Sequence, residues 1–351
     1  MQCRRADVDF AVEWLLRLGP LRERVRRQGN IVMSTRQAGG LQMKEQFRLT
    51  AAAGIVFVSA AVALSAAVTT APKPALADDC PNGGTVRFGV EPYDTSARLT
   101  PIYEKIGKMI GEKIGCKVEI YVATGYNAEI EAMRNGKLEV GEFGPLGYVL
   151  AHQVAKAEAV AAFGNIENKA VTYWASVVTY PSSGLKTVAD LRGHSFAFSD
   201  PASTSGHLVP AYGLRKSGID PDKDIKAIYA GSHTASFEAL FNHKVDAAEL
   251  NSEQLESATQ RGHYKDGDLV FLWKSDPIPT DPVAIRGDLP APFKKKLTEA
   301  LQHLDLMSLD AAERKIMVGA GITQLVPETD SAYDGIRDLV KTLNIDLEKL
   351  G

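Results

Sequence analysis

Three consecutive hydroxyl residues, Ser203, Thr204 and Ser205, precede Gly206 in the run Ser199-Asp-Pro-Ala-Ser-Thr-Ser-Gly-His-Leu-Val-Pro210. Residues 194–198 (His-Ser-Phe-Ala-Phe) alternate polar and apolar as a half-buried strand does, and residues 208–214 read as the start of an amphipathic helix. Hydroxyls in such a strand-to-helix turn join the unpaired N–H groups of the helix's first turn, and both sets point at one spot. That chemistry holds a small oxyanion without a lysine.

In open α/β sheets ligands lie beyond the carboxyl ends of strands, and three more turns of that kind stand out. They are Ala123-Thr-Gly-Tyr126-Asn, with a phenolic O–H; Glu142-Phe143-Gly-Pro; and Gly231-Ser-His233-Thr-Ala-Ser236. A Ser or Thr at one helix start is an ordinary cap; four such turns in one chain point to a shared site. Two carboxylates follow later strands, Glu253 in Asn-Ser-Glu and Asp281 in Pro-Thr-Asp-Pro. Ionised Asp and Glu can only accept hydrogen bonds, so they suit a cationic part of a ligand, the proton of a partly protonated oxyanion, or a salt bridge at a hinge. His233 reads as a donor to the anion or as a surface residue. Ser205 and His207 do not make a nucleophile and base, since residues two apart on a helix do not face one another and no Gly-x-Ser-x-Gly elbow is present. The signatures of phosphate loops, dinucleotide folds and zinc hydrolases are absent as well. No catalytic residue, cofactor or metal is expected.

The elements that must position these turns alternate strand and helix from Thr85 onward: strands at 85–90, 118–122 and 138–140, helices at 99–114, 127–135 and 145–157. A long strand, 173–180, leads out to a second βα block: helix 187–191, strand 195–199, helix 208–217, strand 225–230, helix 236–243 and strand 246–250. A second long strand, 269–274, returns. Helices at 293–307 and 330–343 then pack back on the first block. The fold class is α/β with mainly parallel sheets in two lobes joined by a two-strand hinge. Lobe 1 is expected to comprise 78–179 and 275–351 and lobe 2 residues 180–274, with closure across the cleft as the natural motion.

Residues 43–77 have the plan of a secretory leader: a basic start, an apolar run from Leu49 to Val68, and Ala75-Leu-Ala77 ahead of Asp78. Cleavage after Ala77 is expected, a retained membrane anchor being the other reading. Residues 1–42 are Arg-rich and precede a second initiator, Met43; they read as a start codon placed too far upstream or as a cytoplasmic extension. Beyond Ala77 there are 29 Lys and Arg against 38 Asp and Glu. So acidic a chain is a poor nucleic-acid binder, and an anion must be held by local dipoles. Cys80 and Cys116 each precede a strand of the first block, at the same end of a parallel sheet, so an exported chain is expected to join them in a disulfide.

The runs Asp200-Pro-Ala-Ser-Thr-Ser-Gly206, Gly231-Ser-His233, Phe143-Gly-Pro-Leu and Ile278-Pro-Thr-Asp-Pro282 resemble those of the phosphate/phosphite/phosphonate-binding proteins of ABC importers. The likeness extends from about Thr85 to about Met307. It implies a type II periplasmic-binding fold and a monomeric solute-binding component that captures a phosphonate-type anion (aminoalkylphosphonate, alkylphosphonate or phosphite) for an inner-membrane permease. A binder of phosphate or sulfonate, or a periplasmic sensing domain, is the alternative. The likeness also implies that Tyr126, Ser203, Thr204, Ser205 and His233 bind the oxyanion and that Glu253 and Asp281 face the rest of the ligand. Some relatives carry Tyr where this chain has Phe143, so Phe143 keeps a wall without its donor.

N-terminal sequencing of the exported protein is expected to begin Asp-Asp-Cys from Asp78; a sequence beginning upstream of Ala77 would overturn the cleavage site.

Overall fold

Central strands buried on both faces, such as those at 175–179 and 247–251, dictate the architecture, which the computed structural model describes for residues 80–317 and 321–347. The expected leader at 43–77, Asp78 and residues 1–42 lie outside the described residues. Among those described, no helix is long and apolar enough to cross a membrane.

The first block runs β1 (Thr85–Val90), α1 (Ser96–Ile114), β2 (Lys117–Val122), α2 (Tyr126–Arg134), β3 (Val140–Glu142), α3 (Pro145–Ala155) and β4 (Ala157–Gly164). A crossing follows through β5 (Thr172–Tyr173) and β6 (Ala175–Thr179) into a second block of β7 (Ser195–Phe198), α4 (Val209–Lys216), β8 (Lys226–Tyr229), α5 (His233–Phe241), β9 (Ala247–Asn251), α6 (Ser252–Gln260) and β10 (Val270–Lys274). The chain returns through β11 (Ile278–Pro279) and β12 (Pro282–Arg286), then α7 (Ala291–Leu301), α8 (Ala311–Met317), β13 (Gln324–Pro327) and α9 (Asp334–Thr342).

Two sheets result, ordered β2-β1-β3-β12-β4-β13 and β8-β7-β9-β6-β10, and β5 pairs antiparallel with β11 in a small two-stranded sheet on the two crossings. In each large sheet three strands are parallel neighbours, and a strand next to a crossing, β12 or β6, inserts antiparallel beside them. Apolar clusters cover both faces of each sheet: Val86, Phe88, Ile106 and Leu297 on one face of the first, Leu146, Leu150, Ala284 and Tyr333 on the other. Phe196, Phe198 and Leu214 cover one face of the second, Val178, Phe237 and Leu250 the opposite one.

Several expected boundaries move for identifiable reasons. β7 is not half-buried: Phe196, Ala197 and Phe198 are all buried, because it is a central strand with helices on both faces. The helix expected to reach residue 157 stops at Ala155, where Lys156 turns left-handed (φ 55°) and releases the chain into β4. The long strand of 173–180 is interrupted at Trp174, whose N–H is taken by the Ser252 hydroxyl. α1 ends as its sequence suggests, with Gly115 at φ 70° returning its N–H to Gly111.

The disulfide joins Cys80 and Cys116, and the amide of Lys117 pairs with Gly84 beside it. A crosslink spanning 36 residues removes freedom chiefly from the unfolded chain. Replacing both cysteines by serine is expected to cost about 2–4 kcal/mol in chemical denaturation of the oxidised protein; unchanged stability would show that the crosslink contributes nothing.

Candidate functional site

The carboxyl ends of β1, β3, β7 and β9 converge on one small cavity lined from both sheets. At its floor the Ser203 turn begins with a π-type turn over Thr204–Leu208, closed by the Leu208 N–H on the Ser203 carbonyl (3.1 Å), before α4 starts. Gly206 is obligatory for steric reasons: a Cβ there would lie 1.6 Å from Ser199 Oγ.

Each of the three hydroxyls already accepts a hydrogen bond from the protein. Ser203 Oγ accepts from the Gly206 N–H (3.1 Å), Thr204 Oγ1 from the Leu146 N–H at the start of α3 (2.8 Å), and Ser205 Oγ from the Asn251 side-chain amide (3.1 Å). A hydroxyl whose oxygen is engaged this way has its own proton to donate. Three O–H donors therefore line one cavity, all on residues at most 2% exposed.

His233, at the start of α5, completes the cradle. Its Nδ1 lies 3.0 Å from both oxygens of the buried Glu249 on β9, and its Nε2 lies 3.3 Å from Ser203 Oγ. Burial pulls the imidazole pKa down, but the Glu249 charge and hydrogen bond outweigh it, so His233 stands above its ordinary value and favours the cation. The pair adds a donor without adding net charge.

Beside the cradle stands an acidic cluster, of which Glu91 and Asp281 line the cavity and Glu142 does not. Glu91 directly after β1, Glu142 at the end of β3, and Asp281 just before β12 are buried, with ligand-capable oxygens all within 4.8 Å of one another. Burial pushes all three upward and their mutual repulsion adds to it for Glu91 and Glu142; Asp281 is pushed up to about 7 by burial, against the opposing pull of His233. Carboxyls crowded this closely out of water favour their neutral forms. Such spacing suits either shared protons or a cation. Glu253, on α6, is likewise held well above the usual carboxylate range by burial and then by Asp281.

Of the residues expected from sequence, Ser203, Thr204, Ser205, His233, Glu253 and Asp281 all line the cavity. Tyr126 and Phe143 do not. The Tyr126 hydroxyl is buried beside the Ser203 side chain without a hydrogen bond of ordinary geometry. Phe143 belongs to the core: its ring fills the space above Gly141, where a Cβ would lie 2.4 Å away, among Ile130, Leu138 and Leu146. It does not line the cavity: its N–H is tied to the Pro282 carbonyl and its ring is buried in the apolar cluster around α3. Tyr93, Asp94, Tyr173, Asn251, Gln254, Ser257 and Ile316 also line the cavity, and sequence reasoning missed them along with Glu91. Glu91-Pro-Tyr-Asp94 follows the first strand, the position that singled out the other turns.

Bonds between the blocks hold the walls together. Besides Leu146 to Thr204, Arg98 of α1 pairs with Asp94 and donates to Ser257 Oγ on α6 (3.1 Å).

A family model described as ABC transporter, phosphonate, periplasmic substrate-binding protein matches residues 88–333. A phosphate-import protein of Mycolicibacterium smegmatis is 30% identical over 302 residues, which is 81% of this chain and 94% of that protein. A phosphonates-binding periplasmic protein of Escherichia coli is 29% identical over 220 residues, 60% of this chain and 64% of that one. Among solved structures, a binding protein component of an ABC phosphonate transporter from Pseudomonas aeruginosa matches with a TM-score of 0.63 and 25% identity over 76% of this chain and 96% of that one.

The packing at Gly206 generates a prediction that needs no ligand. Gly206→Ala is expected to lose about 1–3 kcal/mol of stability in urea denaturation, the usual cost of overpacking; a variant as stable as the parent would mean that the Ser199–Gly206 contact is loose.

Proposed function

The chain belongs to the periplasmic substrate-binding proteins of phosphonate ABC transporters, and we propose that it captures a phosphonate-type anion, an alkylphosphonate, aminoalkylphosphonate or phosphite, on the hydroxyls of Ser203, Thr204 and Ser205. The observation that carries this reading is that all three oxygens are occupied by protein N–H groups, leaving three O–H protons for one ligand. His233 adds a fourth donor, and Tyr126, with an unpartnered hydroxyl nearby, contributes a fifth when the ligand is in place. Glu253 and Asp281 face the part of the ligand away from the cradle, where they favour an ammonium or a retained proton. Phosphate is the second reading, favoured by the likeness to the phosphate-import protein.

Binding and release, without chemistry on the ligand, suffice for this role. Residues 78–179 with 275–351, and residues 180–274, act as two lobes that rotate about the β5/β11 crossings, closing through contacts such as Leu146 to Thr204. A leader cleaved after Ala77 delivers the protein to the periplasm, where it works as a monomer and hands its load to an inner-membrane permease.

Calorimetric titration with methylphosphonate, 2-aminoethylphosphonate, phosphite, phosphate and sulfate tests the reading. One of the phosphorus anions should bind tightest, and Ser203→Ala, Thr204→Ala and Ser205→Ala should each weaken it by roughly 1–3 kcal/mol, since each removes a donor to a buried charged acceptor. If all three variants bind like the parent, the anion lies elsewhere.

A further inference from the structure

Glu91 has no place in the cradle just described, yet it stands beside it. Its Oε2 accepts the Gly144 N–H at 2.6 Å. Gly144 has no side chain, and the spot where a Cβ would stand lies 3.1 and 3.3 Å from the two Glu91 oxygens and 3.5 Å from Thr204 Oγ1. One gap is thus flanked by a carboxyl on one side and by a hydroxyl with a proton to give on the other. An anion oxygen that accepts from Thr204 there meets Glu91.

Two oxygens that can only accept hydrogen bonds do not sit together in a buried site; a proton or a cation must lie between them. Among the described residues no lysine or arginine lines the cavity, and His233 is already paired with Glu249. The groups that face Glu91 make the demand stronger. Asp281 from the start of β12, Glu142 from β3 and Glu129 from α2 are all carboxyls, while Tyr126 and Tyr173 bring phenols. Asp281 Oδ1, which lines the cavity at 6% exposure, has no hydrogen-bond partner of its own.

We propose that Glu91 is a specificity-determining residue that fixes the protonation state of the captured anion, by sharing one proton with an oxygen bound to phosphorus. The statement rests on the reading that the Ser203–Ser205 turn holds that anion. The complex is the same whether written as carboxylic acid and P–O⁻ or as carboxylate and P–OH, so it always contains one proton more than an ionised Glu91 and a dianion. Above the pKa values of both free Glu91 and the free anion, capture therefore takes up a proton. Sulfate, which has no comparable proton affinity, gains least from such a partner.

The test uses methylphosphonate, which has no ammonium to confuse the titration, from about pH 7 to about pH 10. At the alkaline end the parent should lose affinity about tenfold per pH unit more steeply than Glu91→Gln, whose amide donates to a dianion at every pH. Calorimetry of the parent in two buffers of different ionisation enthalpy should register the same proton and needs no variant. Sulfate should gain on methylphosphonate in Glu91→Gln. Equal pH slopes in parent and variant, or no proton uptake by the parent at the alkaline end, would overturn the proposal while leaving the cradle intact. Binding that vanishes in EDTA and returns with Mn²⁺ would give the carboxyls to a cation and overturn it too. Failure of methylphosphonate, phosphite and phosphate to bind at any pH would remove the cradle reading and this one with it.

Discussion

Everything in the cleft depends on where three hydroxyl protons can go. Serine and threonine are ambivalent groups, and a hydroxyl left to itself in a cavity turns to suit whatever enters. Here the ambivalence is removed from outside: an amide of the same turn, an amide of a helix start across the cleft, and a side-chain amide on the next strand fill the oxygens of Ser203, Thr204 and Ser205 in turn. Those three donors come from both blocks of the chain. The specificity of the cradle is therefore a property of the tertiary fold and of the closed arrangement of its parts, which explains why strand order, hinge and cavity have to be considered together.

The acidic cluster shows the same logic with the sign reversed. Glu139, just before β3, is fully buried and paired with Arg87 at 2.6 Å and Arg286 at 3.2 Å; burial raises its pKa, but the Arg87 contacts outweigh that and bring it below its ordinary value. Glu142, three residues on and equally buried, has no basic partner and is driven upward. One strand thus carries an ion pair at its amino end for the fold and a charge-starved carboxyl at its carboxyl end. Burying unpaired carboxylates costs several kcal/mol each unless protons neutralise them, and a stable fold keeps such groups only where something else compensates them. Glu91, Glu142 and Asp281 cluster at strand ends beside the hydroxyl cradle, where the proposed ligand would bring that compensation.

Much of this was legible in the sequence, and the rest failed for stated reasons. The hydroxyl turn could be read because three donors in a row, between a strand and a helix and followed by glycine, are more than a cap needs. The cysteine pair and the two crossings were legible from spacing alone. Phe143 misled because a residue adjacent to a glycine-proline helix start can face the sheet as easily as the cleft, and only the register of β3 on β1, Glu142 opposite Val90, decides it. That strand begins two residues later than its pattern suggested. β4 was hidden because its alanines continue the composition of α3, and the break at Lys156 leaves no proline or glycine as a sign. Glu91 was passed over since a single carboxylate after a strand has no signature; its meaning comes from Gly144, Thr204 and Asp281, which are distant in sequence.

A chain this acidic holding an anion is less paradoxical than its net charge suggests. A basic field would attract every anion in the periplasm and would release none selectively, since Coulomb attraction is blind to shape and protonation. The cleft instead balances its own charges locally: His233 against Glu249 and Arg98 against Asp94 at the rim, while burial pushes Asp281 up to about 7, towards its neutral form. What remains for the ligand is a set of oriented dipoles on one side and proton-holding carboxyls on the other. On the proposed reading such a site gains little from an anion that cannot place its oxygens on three hydroxyls at once, and parting of the blocks would remove the Leu146 amide from Thr204. In the proposed two-lobe motion, selectivity and release would share one structural origin, the contact between the two blocks at Leu146 and Thr204.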